Sequence, residues 1–465
     1  MAAARAKGSR LAAYVADRII DDIAARGWLE GEVVGSEAEL LEKYGVSRAV
    51  FREAVRLLEH LHVARMRRGP GGGLVVSAPT ADSVIDAVAV YIVYVGAQVD
   101  EVFAARLVIE ELAAELAAVR PDEGSISALR AQLHAEREHE ARDIRELHHL
   151  IGAATGNPAI AFFVDLLSTV TSLFRPSADA VPARFVAQVT AAHGAIVEAI
   201  LSGDGGLAAS RMRVHILAEA QFLQAKRPAR PRLTELPDPA GRSEKRAEQT
   251  ARQIFREVAQ AGWPVGTLLG SETELMARYD VSRAVLREAV RVLEHHQVAR
   301  MRRGPGGGLF VVEPGIEAVA DAIALQIDRL GIKARDLYEV RSAVEMAALE
   351  MAVTRLDSAG EDRVEAALEA ERIATGTELR MMGHDLHGVL AGLSGNRVIE
   401  LLALVLLRLS RIHASTPNQQ PVSRVPTEDV VRSHQKIVES IQNRDLDLAR
   451  RRMRQHLDAV SKWSH

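Results

Sequence analysis

The fold predicted for this chain is mainly α and built as two copies of one module, each a small helical head with a β-ribbon followed by an all-α bundle. Three observations carry that prediction. Sliding the sequence along itself by 235 positions lays Ser36 to Val76 on Ser271 to Val311 with roughly three positions in four identical, well beyond chance for a repeat. In each copy two helical segments are followed by the same ten residues, RMRRGPGGGL, at Arg65 to Leu74 and Arg300 to Leu309. The remainder of each copy runs in apolar repeats of helical period, broken only briefly at Gly, Asn and Pro.

Composition narrows the class. A chain of 465 residues exceeds what one hydrophobic core organises, so several domains are expected. With 48% hydrophobic and 26% charged residues it has the balance of an ordinary water-soluble globular protein. The absence of cysteine excludes disulfides and thiolate metal sites and fits a reducing compartment. No secretory pattern opens the sequence, and the longest apolar run, Ala87 to Val99, is too short to cross a bilayer. A cytoplasmic, nucleoid-associated protein with no membrane partner is expected. The net charge of −4 argues against a uniformly basic coat. Between Lys43 and Arg68, however, seven Lys or Arg stand against two acids, Glu53 and Glu59, a local positive footprint.

The module boundaries follow from the repeat. They divide the chain into a head at 1–78, a bundle at 79–225, a linker at 226–243, a second head at 244–313 and a second bundle at 314–465. Four prolines between Lys226 and Lys245 make the linker a semi-stiff spacer. Two protein-sized modules on one polypeptide look like a homodimer whose subunits have been fused, an internal pseudo-dimer.

Each head can be read in order. Leu11, Tyr14, Val15, Ile19 and Ile23 recur at helical spacing and Gly27 ends the run. Ser36 with Glu39, and Ser271 in the same pattern, predict a capped short helix. After Tyr44-Gly45-Val46, Ser47 is an N-cap for a longer helix whose Arg48, Arg52 and Arg56 share one face; Val50, Ala54, Leu57 and Leu58 lie towards the other. Ser282, Arg283, Arg287 and Arg291 repeat this. That is helix-turn-helix order, and the arginine row can contact phosphates and guanine edges. A solvated face pairing with Glu53 and Glu59 is the plain alternative. VARMRRGPGGGLVV then reads as strand, glycine turn and strand, not as a phosphate-cradling Walker loop, which would need Lys-Ser or Lys-Thr and a following helix. It is a wing, with Arg67, Arg68 and Gly69, and Arg302, Arg303 and Gly304, at its tip, where backbone amides can approach phosphate and arginine side chains can enter the minor groove.

These residues resemble the winged helix-turn-helix of GntR-type bacterial transcription factors, over about Ser9 to Ala78 and Glu244 to Glu313. By resemblance to the FadR branch of that family, DNA is contacted by Arg48 and Arg283, Arg52 and Arg287, and the tips Arg68-Gly69 and Arg303-Gly304. The sequence departs from the pattern at Ala38 and Thr273, where an arginine is usual.

In the bundles, His193 and His215 stand eleven residues either side of Asp204, as His434 and His456 do about Asp445. Positions equidistant from the turn of an antiparallel helix pair lie at one level. His148 and His387 each precede an Asn, Asn157 or Asn396, by nine residues. Three imidazoles can hold Zn, Ni or Mn; buried histidines satisfying core carbonyls would give the same spacing. These segments resemble the FCD domain, the helical effector domain of FadR-branch regulators, in which an Asp four residues before the first His joins the metal site. Here that place holds Ile144 and Gly383, with Asp143 one residue off and His384 near His387. Arg106 and Arg341, each four residues before a Glu, either clamp an anionic effector, as the resemblance implies, or form an i, i+4 ion pair.

The function expected is a ligand-responsive, sequence-specific DNA-binding transcription regulator, a repressor released by a small-molecule effector, and not an enzyme. Its partners would be double-stranded operator DNA, an organic acid or other anionic metabolite, and a second copy of the fused chain. Two alternatives stay open at the sequence level: a metal-dependent enzyme using the His clusters, and an architectural DNA-binding protein indifferent to ligand.

Overall fold

The computed structural model describes residues 11–226 and 246–463, apart from 139–144, 175–181, 374–385, 416–426 and several shorter gaps. Arg68, Arg303, Asp143, Ile144, Gly383, His384 and residues 227–243 lie outside the described residues.

The first head opens with a segment whose described residues between 11 and 23 are helical. Ala12, Val15, Ile19 and Ile23 form its buried line, while Leu11 and Tyr14, expected on that line, are exposed. Strand β1 (Val33–Gly35) leads into helix α1 (Glu37–Tyr44). The capping box is complete: Ser36 Oγ accepts from the Glu39 amide at 3.3 Å, and Glu39 Oε2 accepts from the Ser36 amide at 2.7 Å. Helix α1 stops at Gly45 in the left-handed region.

Helix α2 (Arg48–His60) follows, then β2 (Ala64–Arg67) and β3 (Gly73–Val76). Phe51, Ala54, Val55 and Leu58 are its buried face, at i, i+3, i+4 and i+7; Val50 and Leu57, expected inside, are only half-buried. The sheet order is β1-β3-β2, antiparallel, with Arg67 opposite Gly73. The sequence showed the β2–β3 ribbon and missed β1, whose three residues are too few to display alternation. Glycine is required at Gly73 by close approach: a Cβ there would lie 2.5 Å from the Gly35 carbonyl oxygen. Gly69, at the tip, has φ +104° and open space around it.

The first bundle contains α3 (Ala81–Tyr94), α4 (Val99–Val119), α5 (Glu123–Arg137), α6 (Glu146–Ala154), α7 (Pro158–Ser172), α8 (Ala183–Leu201) and α9 (Gly205–Lys226). The second copy repeats the scheme. Its head has α10 (Arg246–Gln260), β4 (Leu268–Gly270), α11 (Glu272–Tyr279), α12 (Arg283–His295), β5 (Ala299–Arg302) and β6 (Gly308–Val311). Its bundle has α13 (Ile316–Arg329), α14 (Ala334–Arg355), α15 (Ser358–Ile373), α16 (Leu386–Leu393), α17 (Arg397–Ser415), α18 (Thr427–Gln442) and α19 (Leu446–Trp463).

The two bundles face each other across a pseudo-twofold axis and share one apolar core that runs from α3, α4 and α7 into α13, α14 and α17. Asn157 shows how the sequence builds this interface. Its Oδ1 caps α7 by accepting from the Ala159 and Ile160 amides at 3.0 and 3.2 Å, and its Nδ2 donates across the interface to the Asp336 carbonyl at 2.8 Å. Asn396 does the same in reverse, donating to the Glu101 carbonyl at 3.0 Å. Asn157 and Asn396, each after a Gly that breaks the chain between two helices, are thus helix caps and interface contacts at once.

The heads are seated crosswise. Leu325 of α13 joins the core of the first head, and the Arg329 guanidinium lies over the Trp28 ring at 6.0 Å. Conversely, Trp263 of the second head meets Tyr94 of α3 edge-on at 5.6 Å, and Tyr94 donates to Glu313 at 2.8 Å. Each head therefore rests on the first bundle helix of the other copy.

Candidate nucleic-acid faces and histidine centres

Because the apolar side of α2 is fixed in the head's core, its arginines point outward. Arg48, Arg52 and Arg56 are all exposed, as are Arg283, Arg287 and Arg291 on α12. Their only described pairings are surface ones. Arg52 lies 3.7 Å from Glu37, Arg56 2.7 Å from Glu53, and Arg283 and Arg287 share Glu272 at 3.5 and 3.2 Å. Such pairs contribute at most about 1 kcal/mol each and yield readily to phosphate. Glu59, expected among those partners, instead accepts from the Met66 amide at 3.1 Å and ties the wing to α2. The equivalent Glu294 holds the Met301 amide at 2.9 Å. Ser282 caps α12 through the Val285 amide at 3.3 Å, and Ser47 stands 3.4 Å from the Val50 amide. Arg67, Gly69, Arg302 and Gly304 are on the exposed wing; Arg302 stacks on Phe310 at 4.3 Å.

The histidines converge as their spacing requires. His193 on α8 and His215 on α9 meet His148 from α6, all three buried, with ring centroids 4.8–5.2 Å apart. His387 on α16, His434 on α18 and His456 on α19 form the second centre. There the three Nε2 atoms make a triangle with sides of 3.2, 3.2 and 3.3 Å. In the first centre the His148 and His215 Nε2 atoms are 3.2 Å apart, and the buried His193 Nε2 has no hydrogen-bond partner.

Carboxylates orient these rings from behind. Glu110 contacts His148 Nδ1, and Glu136 Oε2 lies 2.7 Å from His193 Nδ1. In the second copy Glu345 and Glu371 lie 2.6 Å from the Nδ1 atoms of His387 and His434. With Nδ1 engaged, each ring presents Nε2 to the centre. The sequence reading missed Glu136 and Glu371. Their signal was an acid on an otherwise apolar helical stripe, after Leu129 and Leu133 in one copy and Val364 and Leu368 in the other.

Arg106 and Arg341 take the ion-pair geometry. Arg106 is buried, with Nε 2.5 Å from Glu110 and Nη1 2.7 Å from Glu219. Arg341 Nε is 2.5 Å from Glu345 and its Nη1 donates to Ser410 at 3.2 Å. Burial opposes ionisation of Glu110, but the charge of Arg106, with His148, outweighs it and holds the carboxyl down at about 2. Glu345 is lowered in the same way. Burial lowers His193, and lowers His215 and His456 further, which favours the neutral imidazole with a lone pair available.

The donor set fits a divalent transition ion. Tetrahedral Zn–N bonds of about 2.0–2.1 Å place neighbouring nitrogens about 3.3–3.4 Å apart, close to the triangle found here. Neutral lone pairs turned on one another at this distance repel unless a cation or a proton lies among them. Three protein nitrogens also leave coordination positions for a further ligand.

Comparison with known proteins agrees with this architecture. The model "Bacterial regulatory proteins, gntR family" matches residues 11–74 and 246–311, and the FCD domain model matches 101–218 and 336–459. The uncharacterized HTH-type transcriptional regulator YcbG of Bacillus subtilis is 26% identical over 46% of this chain and 88% of its own length. The Uxu operon regulator of Haemophilus influenzae is 26% identical over 44% of this chain and 77% of its own length. Among solved structures, the GntR protein of Streptococcus agalactiae matches at 23% identity over 46% of this chain and 99% of that one, with a TM-score of 0.37. No helix among the described residues is long and apolar enough to cross a membrane.

Proposed function

As a member of the gntR family of bacterial regulatory proteins with two FCD domains, this chain is a DNA-binding transcription regulator, and we propose that it is a repressor released by a small anionic effector. Its two heads, 1–78 and 244–313, would occupy two half-sites of one operator, about one helical turn apart. The bundles, 79–225 and 314–465, would sense the effector. One observation carries this reading: two exposed arginine rows, each backed by a glycine-tipped wing, are held on a single pseudo-twofold frame.

In each head, Arg48 or Arg283 at the start of the reading helix would contact base edges, with Arg52 and Arg56, or Arg287 and Arg291, on phosphates. Ser47 and Ser282 set the helix start. Arg67, Arg68 and Gly69, with Arg302, Arg303 and Gly304, would enter the flanking groove. His148, His193 and His215, and His387, His434 and His456, would each hold a Zn, Ni or Mn ion. A bound ion would supply a Lewis-acidic position for an effector carboxylate. Glu110, Glu136, Glu345 and Glu371 orient the ligating rings, and a change of bundle packing on effector binding would reach the head seated across the axis.

Footprinting on the chain's own promoter region tests the assignment. Protection of a pseudo-palindrome is expected, and the pair Arg48→Ala with Arg283→Ala should weaken binding at least about thirtyfold, from two contacts of 1–3 kcal/mol each. A double variant that binds as tightly as the parent would show that α2 and α12 do not read the DNA. Elemental analysis of dialysed protein, together with a thermal shift on adding Zn, tests the metal; neither retained ion nor shift is the outcome against it.

A further inference from the structure

Three arginines of the reading faces are held by the same atom. Arg52 Nε lies 3.7 Å from Glu37 Oε1, and the Nε atoms of Arg283 and Arg287 lie 3.5 and 3.2 Å from Glu272 Oε1. Glu37 and Glu272 open α1 and α11, which differ at four of their eight residues yet keep the acid in the same place. Each acid lies beneath its arginine: the side chains are 38% exposed for Glu37 against 70% for Arg52, and 32% for Glu272 against 66% for Arg287. The Glu37 Oε1 atom is shut off from solvent and takes no hydrogen bond.

An arginine held at Nε keeps both Nη groups free. These form the fork that meets guanine O6 and N7, or one phosphate, end-on. Such a contact leaves the acid paired. A phosphate out of register draws the guanidinium aside, and the carboxylate is then stranded among the charges of the DNA backbone. Arginines without the acid would take any phosphate in reach, which is the sequence-independent part of binding. Discrimination arises as readily from a penalty on the wrong complex as from contacts in the right one.

We propose that Glu37 and Glu272 are specificity-determining residues: each aims the Nη forks of the arginines above it and, by its own charge, weakens every docking in which those arginines leave it for the backbone. They are positioning residues, acting through the arginines. This deepens the reading of α2 and α12 as the DNA-reading helices and rests on it. The two acids lower affinity for DNA in general and raise discrimination between sites.

The test uses the full-length chain, its own promoter fragment and a duplex of the same length and scrambled sequence, titrated by fluorescence anisotropy at several salt concentrations. Glu37→Gln with Glu272→Gln keeps size and removes the charge. Binding to scrambled DNA should tighten at least about threefold and steepen in salt slope by about one to two, as the released arginines take phosphates. The ratio of promoter to scrambled affinity should fall at least about tenfold, from one ion-pair contact worth about threefold in each head. Glu37→Asp with Glu272→Asp keeps the charge but falls short of Nε, and should weaken promoter binding without tightening scrambled binding. Glu42→Gln removes an exposed acid from the far end of α1 and should leave the ratio within about twofold. A paired-glutamine chain that keeps the parent's ratio overturns the proposal, as does one whose two affinities fall together with no change of slope; the assignment of the reading helices survives either result. A parent chain that binds promoter and scrambled DNA alike removes both.

Discussion

Glu110→Ala gives the sharpest test of how the bundle is held together. Glu110 is fully buried and serves two groups at once, taking the Arg106 guanidinium at 2.5 and 3.4 Å and the Nδ1 of His148. Removing one partner of a buried ion pair costs about 3–5 kcal/mol when the other charge is stranded. Arg106 keeps Glu219, so we expect roughly 2–4 kcal/mol here. In a unit of this size that is a fall in melting temperature of about 5–10 °C. The ring of His148 also loses the acceptor that fixes its tautomer, which should weaken Zn²⁺ at the first centre by about 10–100-fold. Calorimetry of metal-free protein and competition against a chelator measure the two effects separately. Glu110→Gln should fall between, retaining volume but not charge, and Glu115→Ala on the exposed side of α4 should stay within about 0.5 kcal/mol of the parent. A Glu110→Ala chain that melts with the parent and binds Zn²⁺ as tightly at both centres would refute the account of Glu110 as the link between Arg106 and His148.

Other outcomes follow from the same geometry. Asp280 ends α11 at φ 49° where the first copy has Gly45; Asp280→Gly should stabilise the second head by about 0.5–1 kcal/mol, read as a higher denaturant midpoint. Gly73→Ala would drive a Cβ onto the Gly35 carbonyl oxygen at 2.5 Å, so we expect the first head to lose about 1–3 kcal/mol, with DNA affinity falling although no contact residue is touched; unchanged melting of that head would contradict the packing described. The lowered values of His193, His215 and His456 mean that the unfolded chain takes up protons first as pH falls below about 6.5. Metal-free stability should therefore decline from pH 6.5 towards 5.5, by up to about 1.4 kcal/mol per pH unit for each such histidine, with His149, raised by its bond to Asp165, contributing in the opposite sense; melts across that range check the slope.

How much of this was legible in the sequence depends on the distance over which each signal acts. Caps, turns and the wing are local: Ser36 with Glu39, and Gly45, announced their own conformations. The meeting of His193 and His215 was legible too, because both are counted from one turn at Asp204. The carboxylates behind the rings were not, since Glu136 and His193 are 57 residues apart and sit on helices joined by no short turn. The rotation of α2 was misjudged by one position. Phe51 and Val55 lie inside because the buried arc is set by the helices beneath, whereas counting from the arginine row fixes only the opposite side. The crossed seating of the heads had no sequence signal, as Tyr94 with Trp263 and Arg329 with Trp28 are contacts between the copies.

Arg120 forms a two-pronged pair with Glu339, at 3.0 and 2.5 Å, across the axis between the copies. Among the described residues the axis has no matching pair on its other side: the position equivalent to Glu339 is Ala104, and Arg355, equivalent to Arg120, donates to the Ser394 carbonyl of its own copy. A self-associating subunit must suit itself at every position, so each change appears twice. Joining the halves lifts that constraint, and this one-sided pair is the kind of lopsided contact that then accumulates. Two first halves brought together would oppose arginine to alanine and leave the guanidinium without its acid. At this contact each half fits the other better than it would fit a second copy of itself.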